Sequence, residues 1–352
     1  MLKFSSLRHF SRNSLNVRTI TILRNRNGKP FNETICSATK IDFINPNSPV
    51  LFHEITKTNF KDYKFPIIKI SYDQNDVVEH AISVGVEPGE KYSDLYLNKW
   101  NTQLQVLPTF IFPFTNKIFL DMSLTNQSGI LLFDQTVHGE HYVEQIRRLP
   151  PKGDIHLEIK TLDVLDKGKG TLYILSMNGF DNNGEAYFKT EYQMFEIGTG
   201  GFNGNKSNPS LTRTAEPDAN SAPDSTLQFS AIVPEGGYKA KLSDSDLTTI
   251  SIYSPLHPRQ HYSDQYDFMP CPLAHGRYTF GKVIKMILFK YGHGHAERFK
   301  AAKVRFAEPV YLGENVQITT WKTDSRILFR GNVHRDGKSA KVLTGGYIDL
   351  ES

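Results

Sequence analysis

Cysteine is scarce in this chain, which has only Cys36 and Cys271 in 352 residues. Two residues so far apart and so differently surrounded make no disulfide framework, so the class of small stapled secreted domains is excluded and a reducing compartment fits. Long apolar runs are missing as well, and none approaches the ~18–20 residues of a membrane span. The sequence carries no Gly-rich phosphate loop and no paired metal-ligand spacing. His293-Gly294-His295 supplies fewer convergent ligands than a metal needs, and reads as a loop. Cys271 has no base beside it in sequence and reads as a small buried hydrophobe.

Acid is absent from the first 32 residues, which carry Lys3, Arg8, Arg12, Arg18, Arg24, Arg26 and Lys29. With those seven set aside, 34 basic residues face 37 acidic ones, so the formal charge of +4 belongs to the N-terminus. The body is therefore a poor nucleic-acid binder, and no nucleic-acid partner is expected. The leading segment is rich in Arg and Ser and carries Leu2, Leu7, Phe10 and Leu15 among its charges. Those are the marks of a mitochondrial transit peptide over residues 1–30 and of a matrix location, a plain basic tail being the alternative. Leu350-Glu351-Ser352 is not a peroxisomal address.

What is present is enough for a sizeable core: 39% hydrophobic and 12% aromatic residues, with 22% charged residues of mixed sign. The length allows two or three domains. Residues 31–65 hold Asn-Pro-Asn-Ser-Pro and no sustained period, and form an unassigned extension. Asp76 to Val86 has apolar residues at helical spacing, and 104–120 is an apolar stretch broken by Pro108 and Pro113. Strand-like alternation follows in 156–165, 171–177 and 187–197. A turn-rich polar run then gives a linker, 205–226. Beyond it come a helix over 278–289 and strands over 302–306, 316–322, 327–333 and 341–350.

The halves 66–204 and 227–352 read as a diverged repeat. Leu149-Pro150-Pro151-Lys152-Gly153 and Pro309-Val310-Tyr311-Leu312-Gly313, 160 positions apart, each introduce alternating strands. A helix followed by a strand meander in each half predicts an α+β fold, with one long helix wrapped by an antiparallel sheet.

Several blocks then stand in a familiar order: AISVGVEP (81–88), VLPTF (106–110), VHGEHY (137–142), DVLDKGKG (163–170), GTGGFNG (198–204), PLH (255–257), PLAHGRYTFG (272–281) and RFKAAKVRFAEPVYLGENV (298–316). In these the chain resembles the type 2 enoyl-CoA hydratases, the MaoC-like double hot-dog family found as a domain of peroxisomal multifunctional enzyme type 2. The resemblance covers residues 66–351. It implies a double hot-dog fold and, if the chain is active, a lyase without a cofactor that adds water to a trans-2-enoyl-CoA to give the (R)-3-hydroxyacyl-CoA. The ligand would be an acyl-CoA or another acyl-thioester.

The resemblance also assigns residues. His257 falls on the family histidine that grips the water, and Gly276 on the glycine whose N–H meets the thioester oxygen. His138 and Gly139 fall on a contact to the CoA ligand, Lys167 on a lysine at its charged end, and Phe306 on an aromatic lining it. The family's Asp and Asn positions are Ile252 and Ser254, Ser254 being left to touch substrate, and Pro255 to Gly276 is one residue longer than the family pattern. Isoleucine cannot orient or deprotonate a water; Asp244, Asp246, Asp264 and Asp267 are nearby carboxylates with no favoured spacing. Each assignment has a plainer counterpart: His257 as a surface or structural histidine, Gly276 as a turn glycine, Lys167 as a solvated hairpin lysine. Two functions remain open at this point. One is a mitochondrial hydratase or 3-hydroxyacyl-thioester dehydratase of fatty acyl metabolism. The other is an inactive homologue that binds acyl-CoA or serves, as a homodimer or within a mitochondrial complex, as a structural subunit.

Overall fold

A computed structural model describes residues 40–43, 59–115, 130–131, 135–231, 273–311 and 313–351. The alternation in the sequence becomes a sheet. In β4 (Gly153–Asp166) Ile155, Leu157 and Ile159 are buried, while the residues between them are more open. With β5 (Gly170–Phe180) and β6 (Ala186–Ile197) it forms the meander of the first half. The second half repeats the device with β9 (Phe299–Phe306), β11 (Asn315–Thr323), β12 (Arg326–Arg335) and β13 (Lys338–Leu350).

Six further described strands are short or polar: β1 (Lys40–Phe43), β2 (Ile68–Tyr72), β3 (Thr136–Gln145), β7 (Ser225–Ser230), and β8 (Leu273–Ala274) paired with β10 (Val310–Tyr311). Among the described residues eleven strands join one antiparallel sheet in the order β1-β2-β4-β5-β6-β3-β9-β13-β12-β11-β7. The halves meet where β3 lies against β9, with Glu140 opposite Arg305 and Glu144 opposite Ala301.

One long helix packs on this sheet, α3 (Gly276–Tyr291). Phe280, Val283, Ile284, Ile287 and Leu288 are fully buried at the spacing of one helical face. Each contributes roughly 1.5–3 kcal/mol of burial. The helix stops where Gly292 returns its N–H to Leu288 and His293 and Gly294 turn left-handed, at φ 54° and 71°. The histidines of His293-Gly294-His295 thus sit in a helix-ending turn, with His295 Nδ1 3.1 Å from Glu297 Oε1.

In the first half the described helices are α1 (Gln74–Ser83), the four-residue α2 (Asp94–Leu97) and a 3-10 turn at Pro108–Ile111, from which residues 112–115 continue as α-helix. The remainder of the apolar stretch 104–120 lies outside the described residues, so the expected long helix of this half is only partly covered by them. Pro108 starts that turn and lacks the N–H an interior helical position needs. α1 is capped by Asp73, whose carboxylate accepts from Asn75 and Asp76 N–H, while Asp76 accepts from Asp73 N–H at 2.8 Å. His80 Nε2 then meets Thr109 Oγ1 at 2.7 Å and ties α1 to the turn.

Packing begins before residue 66. Phe60 is fully buried with its ring 4.8 Å from that of Tyr173, and β1 adds residues of the extension to the sheet edge. The linker is no loose tether either. Thr212 gives its N–H and hydroxyl to Glu191, Glu216 pairs with Arg330 and accepts from Gly345 N–H, and β7 starts inside the expected linker at Ser225.

The seam between the halves holds a buried lysine. Lys303 Nζ lies 3.0 Å from Glu140 and 3.8 Å from Glu191, an ion pair with no exposed lysine surface. Arg305 holds the other oxygen of Glu140 at 2.6 Å. Removing one partner strands a buried charge. Glu140→Ala is therefore expected to lower unfolding free energy by about 3–5 kcal/mol, read from urea denaturation. Glu158→Ala, which breaks only the surface pair with Lys160, is expected to cost under ~1 kcal/mol.

Candidate functional site

β3 carries His138 and Gly139 into the seam. Its pairing with β6 slips between His138 and His141, a bulge that turns both imidazoles toward the same interior. His141 is fully buried, and His138 is half-buried with its Nε2 shielded from solvent. His138 stacks obliquely against Tyr192 at 4.2 Å and against Phe306, from the end of β9, at 4.3 Å. Gly276, the first residue of α3, faces the same pair. A Cβ on Gly276 would stand 2.9 Å from Phe306 Cε1 and 3.1 Å from His138 Nδ1, so close approach excludes any side chain there. Three residues from three separate blocks of sequence thus converge.

They stand at one end of a cleft of about 630 Å³. Leu172 and Phe195 line its apolar part, and Lys167, Arg213 and Arg305 its polar part. Of the residues singled out from the sequence, His138, Gly139, Lys167 and Phe306 line this cleft, and Gly276 abuts it through His138 and Phe306. His257 and Ser254 lie outside the described residues, with Ile252 and the four nearby aspartates. So do Cys36, Cys271 and the segment 1–30.

Lys167 reaches the cleft from the β4–β5 hairpin, its Nζ 2.5 Å from the Lys206 carbonyl. Asp166 sets that hairpin. One carboxylate oxygen accepts N–H from both Gly168 and Gly201 at 2.8 Å, and these bonds hold the carboxyl below its ordinary range. The GTGGFNG run is in this way pinned against the lysine hairpin.

The electrostatics centre on Arg277, which is 4% exposed and lies over the Tyr192 ring at 5.5 Å. Burial first, and then each other's proximity and Arg277, push the His138 imidazole well below its ordinary value; burial, Arg277 and Lys303 do the same to His141. Both rings are neutral near neutral pH. His138 Nε2 and both nitrogens of His141 are buried without a hydrogen-bond partner among the described residues. The N-terminus of α3 and a buried guanidinium therefore make a positive field around Gly276, to which the neutral His138 and His141 rings add no charge. Such a place favours an oxygen on which negative charge develops.

Arg277, His141 and the Glu140–Arg305 pair escaped sequence reasoning. A charged residue inside the otherwise apolar run after Gly276, and a second histidine three residues after His138, were the available signals.

These shifts set an acid sensitivity. Burial pushes His80 down to about 3 and holds His138 and His141 below 6.5, so below that value the unfolded chain binds protons that the native state refuses. Stability is then full above about pH 6.5 and falls as pH drops, by about 1.4 kcal/mol per pH unit for each such proton. Asp76, pushed up to about 6 by burial, acts oppositely between 3.8 and 6 and offsets one of the three. The urea midpoint is expected to fall steadily from neutral pH toward pH ~4, with a shallower slope in His80→Gln. A flat profile in the parent protein would contradict these assignments.

Comparison with known proteins places the chain. Residues 70–198 match the MFE-2 hydratase 2 N-terminal domain and 253–342 the MaoC like domain. The chain is 28% identical to mouse "Peroxisomal multifunctional enzyme type 2" over 289 residues, covering 82% of this chain and 38% of that protein. It thus spans about two-fifths of that relative. It is 29% identical to "Probable enoyl-CoA hydratase 2" of Dictyostelium discoideum over 298 residues, covering 82% of this chain and 95% of that one. A MaoC-like dehydratase from Phytophthora capsici has the same fold, with a TM-score of 0.64 at 21% identity over 85% of this chain and 99% of that one. The mouse relative's name is peroxisomal, and the expected matrix location gains nothing from it. With both halves matched in order and the sheet continuous across them, the chain carries an MFE-2 hydratase 2 N-terminal domain followed by a MaoC like domain, in the double hot-dog fold of MaoC-like proteins.

Proposed function

We propose that the protein binds an acyl-CoA in the seam cleft and hydrates its trans-2-enoyl form, or dehydrates the (R)-3-hydroxyacyl form, in fatty acyl metabolism. The carrying observation is the convergence of His138, Phe306 and Gly276 beside a cleft that Lys167 lines. The thioester oxygen would lie at the Gly276 N–H, in the field of Arg277 and the α3 N-terminus. His257 would take a proton from water as the water oxygen bonds C3. Electrons move to the thioester oxygen, and as they return C2 takes up the proton that His257 removed, which leaves the imidazole neutral again. No cofactor is needed for these steps.

A second reading has its own observation. Ile252 and Ser254 stand where the family holds its Asp and Asn, which favours a homologue that retains ligand binding after losing turnover. Loss of a general acid or base commonly costs ~10²–10⁴ in rate. Hydration of crotonyl-CoA and longer enoyl-CoA esters by the purified protein, abolished by His257→Ala, is the expected result. If the parent is inert at every chain length and Ile252→Asp with Ser254→Asn creates activity, the second reading holds.

The acid-free basic segment supports import into the mitochondrial matrix. The full chain fused at its C-terminus to a fluorescent protein is expected to report mitochondria, and to lose them when residues 1–30 are removed. Peroxisomal fluorescence from the full chain would refute this location.

A further inference from the structure

The linker forms a wall of the cleft, and one of its cations has no assigned role. Residues of the segment 207–214 line the cleft, beside the Lys206 carbonyl that Lys167 Nζ reaches. Arg213 lies between two fixed points. Thr212 before it is bound to the Glu191 carboxylate by N–H at 3.1 Å and by hydroxyl at 2.7 Å. Behind it, Ala215 donates to the Gly345 carbonyl, and Glu216 accepts from Gly345 N–H at 2.7 Å. The backbone is thus held on the sheets of both halves, and Arg213 itself is exposed and lines the cleft.

Charge makes the position specific. Arg305, the third cation of the cleft, is neutralised by Glu140 at 2.6 Å. Arg213 and Lys167 have no carboxylate within ion-pairing distance among the described residues, so together they leave the cleft mouth two positive charges in excess. A guanidinium on a fixed backbone and an ammonium, both lining one cleft, match a ligand carrying phosphate at the end remote from its reacting group.

We propose that Arg213, on the linker between the two halves, binds a phosphate of the ligand and, with Lys167, selects thioesters of coenzyme A over thioesters on a bare pantetheine arm. The proposal rests on the acyl-thioester reading above and adds to it a residue that reads the carrier. It also gives the linker a purpose that a tether would not have. The clamps at Thr212 and Glu216 lower the conformational entropy lost when the arginine engages its anion.

Calorimetry with the full chain tests this, using hexanoyl-CoA and S-hexanoyl-pantetheine, saturated esters that cannot be hydrated. The parent protein is expected to bind the CoA ester more tightly. Arg213→Gln is expected to weaken hexanoyl-CoA about tenfold and leave S-hexanoyl-pantetheine within about twofold, with Arg213→Lys intermediate. Arg213 is exposed, so these variants fold, and unchanged circular dichroism checks it. If the two esters bind the parent equally, or Arg213→Gln weakens both alike, the carrier assignment is overturned while acyl-thioester binding stands. If the parent binds neither ester, the acyl-thioester reading fails, and this proposal with it.

Discussion

The pairing of β3 with β9 is the constraint on which the rest of the molecule depends. It joins two half-sheets into one, and its register places Glu140 opposite Arg305. That register puts His138, two residues before Glu140, near Phe306, one residue after Arg305. A slip by one residue would send each of these side chains to the other face of the sheet. Lys303, sealed between Glu140 and Glu191, resists such a slip, because any other register would leave its ammonium buried without a carboxylate. The cleft exists because the seam has this register.

Around that seam, burial does the electrostatic work. Two imidazoles that would share protons with water are held neutral, and the positive charge nearby belongs to Arg277 and to the start of α3. In a setting with little water, a fixed N–H and a fixed cation act on a developing oxyanion more strongly than they would in bulk solvent. At the outer end the logic reverses. Lys167 and Arg213 meet solvent, where cations can attract a hydrated anion without being buried alone. The cleft is therefore graded, apolar and neutral by His138 and Phe306 and cationic toward the linker.

Much of this was legible from residue order, for identifiable reasons. Strands such as 316–322 and 327–333 are half-buried, so alternation marks them, and the structure extends each by one or two residues at either end, to Asn315–Thr323 and Arg326–Arg335. Helix 278–289 lengthens to Gly276–Tyr291 because its last turn and its glycine start carry no apolar period. β3 was hidden: TVHGEHYVEQ is polar because its side chains meet one another across the seam, and a bulge breaks its period. In the first half Pro108 opens a 3-10 turn that passes into α-helix at 112–115, because proline suits the first turn of a helix and not its interior. Gly276, His138 and Phe306 were recognised only through family resemblance, since nothing in local spacing brings residues 138, 276 and 306 together. Arg213 was invisible for a similar reason: a turn-rich segment reads as a tether until its hydrogen bonds to both sheets are seen.

The central claim is that a thioester carbonyl lies against Gly276 in the field of Arg277. Isotope-edited infrared spectroscopy of hexanoyl-CoA carrying carbon-13 at its carbonyl, bound to the full chain, tests that contact directly. The account predicts that the carbonyl band moves to lower frequency on binding, and that Arg277→Met diminishes the shift at saturating ligand. A band that stays at its aqueous frequency while the site is demonstrably filled would contradict it.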